Sequence, residues 1–195
     1  MDDVDSLSAV IARQRACRTF SERPVDEAVL MRILDAARWA PSAHNSQPWE
    51  WVVVRDAATR AAIGGIATRL WEQVDAEWRA QHVDPRLDRD VERGVLELAA
   101  APVLIVVCGD TSRCDRRSLA SSVFPAVQNL LLAATEAGLG SALTTLATYD
   151  VALGELLGLP EGVVPLAVVP VGHPARGLGP PRRDPTDAHL HRERW

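Results

Sequence analysis

The hydrophobic residues of the chain alternate between two periodicities. Apolar side chains recur at helical spacing in the segments 5–17, 26–41, 56–82, 86–100, 118–137 and 150–157. Short continuous apolar runs, typical of buried strands, occupy 51–54, 102–110, 141–145 and 163–171. Because strands alternate with helices, the pattern predicts a layered sandwich of the α/β or α+β class.

Several residues mark where the predicted helices begin and end. Asp26 is an N-cap candidate, and Pro41 ends its helix because the residue before a proline is pushed out of helical geometry. Asp84 and Pro85 break the long helical region, and Gly138 stops the longest helix. The segment APSAHNSQPW therefore starts at a helix C-terminus and leads into a buried strand. It is unusually rich in hydrogen-bonding side chains for a simple turn.

The composition changes after the last predicted strand. Residues 173–195 are rich in proline, glycine and arginine and have little helical or strand periodicity. A tail of this length either lacks fixed structure or wraps around something. The chain has no internal repeat and no recognisable linker, so we expect a single domain over 1–195 with a C-terminal arm over 173–195.

The charge of the chain limits the partners that it can bind. A formal net charge of -5 argues against a broad nucleic-acid surface. All 21 basic residues are arginine, so lysine Schiff-base chemistry is excluded and any fixed positive charge in a site belongs to a guanidinium. Since neither a GxGxxG motif nor a P-loop motif follows a strand, we expect side chains to hold any bound anion.

The cysteines and the apolar segments bear on the compartment. Cys17, Cys108 and Cys114 are odd in number and form no CxxC pair, which favours buried, reduced thiols over disulfides or a metal site. We expect no apolar stretch long enough to span a bilayer, and the acidic N-terminus lacks the features of a signal peptide. These observations predict a cytoplasmic protein with no metal and no membrane partner.

Two clusters of arginines are candidates for an anion site. Arg13, Arg15 and Arg18 close the first helical segment, whereas Arg182 and Arg183 lie between prolines in the tail. Most arginine clusters are solvated surface. Here the flanking prolines reduce the entropy lost when the tail arginines grip a ligand, which favours binding. One phosphate held between both clusters would tie the arm to the N-terminal helix.

Four separated sequence blocks together resemble the FMN-dependent nitroreductase family. The blocks are RACRTFSERPV, APSAHNSQPWEWVVV, FPAVQNLLLAATEAGLGSALTT and, at the end of the chain, PPRRDP with HRERW. They follow one another in the order found in the family and cover almost the whole chain. The chain is therefore similar to NAD(P)H:FMN oxidoreductases.

The resemblance implies a fold, a cofactor and a reaction. The fold is an α+β, three-layer α-β-α sandwich around a mixed, mainly antiparallel sheet, with the C-terminal arm wrapping a partner subunit. The assembly is a homodimer with FMN at the subunit interface. NADH or NADPH would reduce the flavin, which would then pass two electrons to a small aromatic or conjugated acceptor, such as a nitroaromatic or a quinone, in ping-pong kinetics.

The resemblance also implies the flavin-binding residues. The phosphate and ribityl chain would be held by Arg15, Arg18, Arg182 and Arg183, with Gln14 beside them. A loop of the partner subunit would contribute Pro41, Ser42, Ala43 and Asn45, and the ring edge that accepts hydride would lie near Thr144 and Thr145. The flavin performs the chemistry, so no catalytic side chain is required; His44 is a candidate proton donor.

The chain departs from the family pattern at the first arginine block. Gln14 and Ala16 occupy positions where the family commonly has arginine and serine, so a phosphate-binding arginine and a hydroxyl donor are missing. Either Gln14 and Arg13 compensate, or FMN binds more weakly. Two further functions thus stay open: a biosynthetic flavin reductase or dehydrogenase acting on a specific intermediate, for example in a deazaflavin pathway, and an FMN-storage protein without efficient turnover.

Overall fold

Four antiparallel strands form the central sheet of the computed structural model, which describes residues 6–179 and 181–195. The strands are β1 (Trp49–Val54), β2 (Val103–Asp110), β3 (Gly140–Ser141) and β4 (Val163–Gly172), and they lie in the order β1-β2-β4-β3. Residue 5, where the first predicted helix starts, and Pro180 of the PPRRDP block lie outside the described residues.

Seven α-helices surround the sheet within the described part of the chain. They are α1 (Leu7–Arg13), α2 (Glu27–Ala37), α3 (Ala57–Glu72), α4 (Ala76–His82), α5 (Pro85–Leu96), α6 (Arg116–Glu136) and α7 (Val151–Leu157). Six of them begin after an aspartate whose carboxylate accepts backbone N–H groups of the first turn: Asp26, Asp56, Asp75, Asp84, Asp115 and Asp150. Such caps satisfy donors that have no partner inside the helix.

Strand β2 separates the two hydrophobic cores. Val103, Ile105 and Val107 point into a core formed with α2 and α6, whereas the intervening residues point into a second core formed with α3, α5 and α7. This alternation follows from the two-residue repeat of a strand, and every residue of β2 before Asp110 is buried because helices cover both faces. The predicted three-layer α+β sandwich is confirmed.

The predicted helix over 5–17 is too long. Helix α1 ends at Arg13, and Ala16 forms an isolated parallel bridge with Ser141 instead. The Cys17 N–H donates to the Ser141 carbonyl oxygen at 2.9 Å. A Cβ atom on Gly140 would lie 2.5 Å from the Cys17 sulfur, so only glycine permits this approach. Pairing with the sheet edge therefore overrides the local helical pattern.

Two other predicted boundaries are also wrong. The helical region 56–82 is two helices, because the chain leaves α3 after Glu72 and Asp75 caps a new one. The strand predicted at 141–145 contains only Gly140–Ser141, although Thr144 pairs with Val168 by an isolated bridge. The predicted break at Asp84 and Pro85 and the stop at Gly138 are confirmed; Gly138 adopts a positive φ of 72°.

Helix α6 is the central helix of the first core. By length and composition it could cross a membrane, so the expectation that no segment reaches that length is wrong. Eight of its residues, from Leu119 to Ala134, are nevertheless buried in the protein, as in the core helix of a globular domain. The three cysteines are buried and form no disulfide, as expected.

Candidate functional site

Backbone pairing brings two predicted site segments to the same edge of the sheet. The bridge from Ala16 to Ser141 fixes the segment that carries Arg15 and Arg18. Three residues beyond Ser141, Thr144 exchanges two backbone hydrogen bonds with Val168 of β4, at 3.0 and 2.8 Å. Side chains from the N-terminal arginine block and from the SALTT segment can therefore contact one ligand.

Between these segments lies a largely apolar pocket of about 500 Å³. Its walls include Phe20, Val91, Val95, Leu143 and Thr144, and Arg18 supplies its positive charge. Helix α5 forms one side of the pocket. A cavity with apolar walls and a few polar groups is typical of sites that bind flat organic ligands.

A second cavity, of about 370 Å³, also has Arg18 in its wall. We refer to it as the arginine cleft, lined by Arg15, Arg18, Thr19, Asp90, Arg93 and Arg176. The two cavities thus adjoin at one guanidinium. A ligand with an apolar ring and an anionic tail matches this pairing of environments.

Arg18 is held between helix α5 and the edge of the sheet. Its aliphatic stem packs against Gly94, where a Cβ atom would lie 2.5 Å from Arg18 Cδ. Burial lowers the pKa of the guanidinium, and the nearby Asp90 carboxylate partly opposes that effect. Since an arginine stays protonated at neutral pH, Arg18 presents a partly desolvated positive charge that is strengthened by its low-dielectric surroundings.

The APSAHNSQPW loop adopts a strained backbone. His44, Asn45 and Gln47 have φ values of 54°, 53° and 47°, a region that residues other than glycine seldom occupy. The Ser42 hydroxyl accepts the Gln47 N–H at 3.0 Å, and Pro48 is buried at the start of β1. The exposed side chains of His44 and Asn45 are thereby fixed toward solvent in this chain.

Helix α6 anchors the same loop. The Ala43 N–H donates to the Ser122 hydroxyl at 3.1 Å, and Ser122 is only 1% exposed. The Ser46 hydroxyl oxygen is also buried but has no hydrogen-bond partner among the described residues. Buried polar atoms are normally paired, so an orphaned hydroxyl in a strained loop indicates a partner that this single chain does not supply.

The arm arginines lie apart from the two cavities. Neither Arg182 nor Arg183 is among the residues that line them, and both side chains are exposed. Arg182 lies close enough to Asp84 for its charge to contribute to lowering the pKa of that carboxyl, behind the backbone N–H groups of Arg86 and Leu87. Arg183 donates to the Arg182 carbonyl oxygen at 2.7 Å.

The structure thus assembles only part of the predicted site within one chain. Arg15, Arg18 and Thr144 converge, with Gln14 at the end of α1 and Thr145 beginning a 3-10 turn. The loop residues Pro41, Ser42, Ala43 and Asn45 are absent from the walls of both cavities. This separation is compatible with the expectation that the loop serves the neighbouring subunit, which stays a prediction.

Sequence patterns alone did not identify several residues of the site. Asp90, Arg93 and Gly94 lie in a charged helix that reads as solvated surface, and Arg176 lies in the irregular arm. Gly94 carried the only available signal, because a glycine within a helical pattern often marks a close packing contact.

Three comparisons agree on the class of protein. The model of the nitroreductase family matches residues 11–173. A relative from Methanothermobacter thermautotrophicus, assigned as an NADH dehydrogenase/NAD(P)H nitroreductase, is 31% identical over 98% of this chain and 88% of its own length. The 5,6-dimethylbenzimidazole synthase of Rhodospirillum rubrum is 33% identical over 70% of this chain and 67% of its own length.

A solved structure extends the similarity to the whole fold. Iodotyrosine deiodinase bound to FMN and 3-iodo-L-tyrosine superposes with a TM-score of 0.81 and 26% identity, covering 97% of this chain and 100% of that chain. The fold and the site define a flavoprotein of the oxidoreductase class. This chain belongs to the nitroreductase family, whose cofactor is FMN and whose electron donor is NAD(P)H, as the sequence resemblance predicts.

The residues present fit a flavin mononucleotide. The apolar pocket suits an aromatic ring system, and the adjoining arginine cleft suits a phosphate. The Arg15 Nε atom is buried without a hydrogen-bond partner among the described residues, as is the Ser46 hydroxyl. Both orphaned groups belong to segments for which the family resemblance implies flavin contacts.

Proposed function

We propose that this chain is an FMN-dependent oxidoreductase that carries two electrons from NADH or NADPH to a small aromatic or conjugated acceptor, such as a nitroaromatic or a quinone. The observation that carries the proposal is the convergence of Arg18 and Thr144 on an apolar pocket that opens into the arginine cleft. When bound, FMN accepts a hydride from the nucleotide and returns two electrons to the acceptor.

The role of Arg18 follows from its position. Its guanidinium lies where the two cavities meet, and α5 shields its stem from water. A fixed positive charge of this kind stabilises negative charge on a neighbouring ring more strongly than the same charge in bulk water. Arg18 would therefore favour the reduced, anionic state of the cofactor.

Thr144 would orient the ring edge. Its hydroxyl oxygen accepts the Leu146 N–H at 3.3 Å, so the hydroxyl proton remains available to donate toward the pocket. The backbone of Thr144 is tied to β4 on both sides, which fixes the direction of that donor. Thr145, the next residue, would complete the contact at the hydride-accepting edge.

The complete site would need two chains. Pro41, Ser42, Ala43 and Asn45 form a rigid exposed loop, and we propose that it contacts the flavin of a partner subunit in a homodimer. The arm over 173–195 of the single domain 1–195 would wrap that partner and bring Arg182 and Arg183 to the cofactor. His44 would face the acceptor from the same loop. A cytoplasmic location remains a prediction.

Steady-state kinetics test the reaction. The donor and the acceptor would occupy the same face of the ring in turn, so initial rates at several fixed acceptor concentrations should give parallel double-reciprocal lines against NADPH or NADH. Menadione and a nitroaromatic are suitable acceptors. Intersecting lines with both acceptors would show a ternary complex and contradict the alternating mechanism.

A biosynthetic role is the second candidate. The apolar pocket and the 33% identity to a 5,6-dimethylbenzimidazole synthase favour a specific intermediate over a broad range of acceptors. A panel of quinones and nitroaromatics distinguishes the two: comparable kcat/KM values indicate a general reductase, and uniformly poor values indicate a dedicated substrate. The missing family residues at Gln14 and Ala16 favour the storage alternative, which predicts slow flavin reduction by either nucleotide.

A further inference from the structure

The arginine cleft carries more positive charge than its own walls neutralise. Arg15, Arg18, Arg93 and Arg176 line it with a single carboxylate, that of Asp90. The whole chain has a formal net charge of -5, so this local excess of cations runs against the overall balance. Like charges gathered in one cleft repel one another, and a bound anion would relieve that repulsion.

The contacts inside the cleft leave donors to spare. Arg176 Nη2 lies 3.8 Å from Asp90 Oδ1, which is longer than a hydrogen bond. Arg15 donates through Nη1 to the Gly179 carbonyl oxygen, but its buried Nε has no partner among the residues that the structure describes. The cleft thus holds guanidinium N–H groups that are positioned but not fully used.

We infer that Arg93 and Arg176 are binding residues for a phosphomonoester, which they hold together with Arg15. A phosphomonoester carries nearly two negative charges at neutral pH and offers three acceptor oxygens. Several planar guanidinium forks can share these oxygens, whereas a single carboxylate such as Asp90 offers only two.

The positions of these two arginines explain how the chain manages without the usual family residues. Gln14 and Ala16 replace the arginine and serine expected in the first block. Arg93 approaches from α5 and Arg176 from the segment after β4, so two separate elements restore positive charge beside Arg15. This differs from compensation by Gln14 and Arg13 and from weaker cofactor binding.

Two ligands of the proposed reaction contain a phosphomonoester: FMN at its 5′ end and NADPH at its ribose. The inference rests on the proposed function in taking these as the candidate ligands. Equilibrium titration of apoprotein with FMN and with riboflavin, followed by flavin fluorescence, isolates the first. Riboflavin lacks the phosphate, so any effect confined to FMN belongs to that group.

We expect Arg93→Gln and Arg176→Gln each to weaken FMN binding about tenfold and to leave riboflavin binding unchanged, because each removes a charge-assisted contact. Both side chains lie at the surface, so the variants should fold normally. Arg89→Gln removes an exposed arginine from the same helix and is the matched control; it should change neither affinity.

The NADPH arm uses the same variants. If the cleft binds the ribose phosphate, FMN affinity stays constant and the KM for NADPH rises about tenfold while the KM for NADH does not. Asp90→Asn removes the competing carboxylate and should tighten binding of the phosphorylated ligand several-fold. Weaker binding by this variant would place the anion elsewhere and overturn the inference.

The outcomes separate the inference from the proposed function. If wild-type protein binds neither FMN nor riboflavin, the proposed function fails and the inference fails with it. If wild-type protein binds FMN while both arginine variants match it in FMN affinity and in the KM ratio for NADPH and NADH, the inference alone is overturned.

Discussion

At the scale of single residues, Ser122 connects the core to the strained loop. Its hydroxyl oxygen accepts the Ala43 N–H and lies 3.8 Å from the Cys114 sulfur, inside the first core. Positive φ values at His44, Asn45 and Gln47 cost free energy that surrounding contacts must offset. The Ser122 hydrogen bond is one such contact.

We predict that Ser122→Ala lowers the free energy of unfolding by about 1–2 kcal/mol, because the Ala43 N–H loses its acceptor in a partly buried position. It should also weaken FMN binding by loosening the loop. Urea unfolding and a flavin titration measure both effects. Ser121→Ala, the exposed neighbour, is the control; equal behaviour of the two variants would contradict the anchoring role.

Cys108 provides a second test at this scale. Burial raises the pKa of its thiol from an ordinary value near 9 to about 12, with a smaller contribution from Glu50. Above pH 9 the unfolded chain loses this proton while the folded chain keeps it. The folded state therefore binds more protons, and the free energy of unfolding must fall as the pH rises from about 9 toward 12.

Because the chain contains no lysine, few groups titrate in this range. We predict that wild-type protein loses about 1.4 kcal/mol between pH 8 and pH 10 through Cys108, and that Cys108→Ala removes this part of the loss. Val106→Ala, a substitution in the same strand and core, is the control for the cavity. Parallel pH profiles for all three proteins would contradict the prediction.

At the scale of elements, α4 and α5 form a helical pair that is fastened by one buried contact. Arg79 Nη1 lies 2.9 Å from both carboxylate oxygens of Asp88, and its guanidinium carbon lies 4.3 Å from the centre of a Trp71 ring. The two charged side chains are 15% and 27% exposed. Since α5 lines both cavities, this contact holds one wall of the site.

We predict that Asp88→Ala loosens α4 and α5 without unfolding the sheet, because it leaves the Arg79 charge partly buried and unpaired. Amide hydrogen exchange in Pro85–Leu96 should accelerate about tenfold or more, with β2 unchanged. Glu77→Ala, which removes an exposed acid from α4, is the control. Uniform acceleration across the chain would contradict a local role.

The same scale shows which features a sequence reveals. Asp26, Pro41 and Gly138 act through neighbouring backbone atoms, so the ends that they set could be predicted. The extended pairing at Ala16 depends on Ser141, far away in the chain, and no local pattern contains that information. The arginine cleft likewise depends on tertiary packing, so sequence blocks predicted Arg15 but not Arg176.

At the scale of the whole molecule, several large apolar side chains are exposed in the single chain. Trp39 is 72% exposed at the end of α2, beside the strained loop, and Met31 on the same helix is 55% exposed. Tyr149 and Val151 are exposed to similar extents near α7. Exposed apolar surface of this kind is typical of a subunit interface.

We predict a homodimer in solution, with a mass twice the chain's 21.2 kDa by light scattering. Trp39→Asp should increase the monomer fraction and weaken FMN binding together, because the loop next to Trp39 would complete the partner's site. Trp78→Asp, at an exposed tryptophan on α4, is the control. A monomeric variant that retains full FMN affinity would contradict a shared site.

The most direct measurement of the central claim is the flavin absorbance of FMN-loaded protein after anaerobic mixing with NADPH or with NADH. Arg18 and Thr144 are positioned to favour a reduced ring, so at least one nucleotide should bleach the absorbance rapidly. A quinone or nitroaromatic added afterwards should restore it. Flavin that stays oxidised with both nucleotides would contradict an NAD(P)H-dependent oxidoreductase.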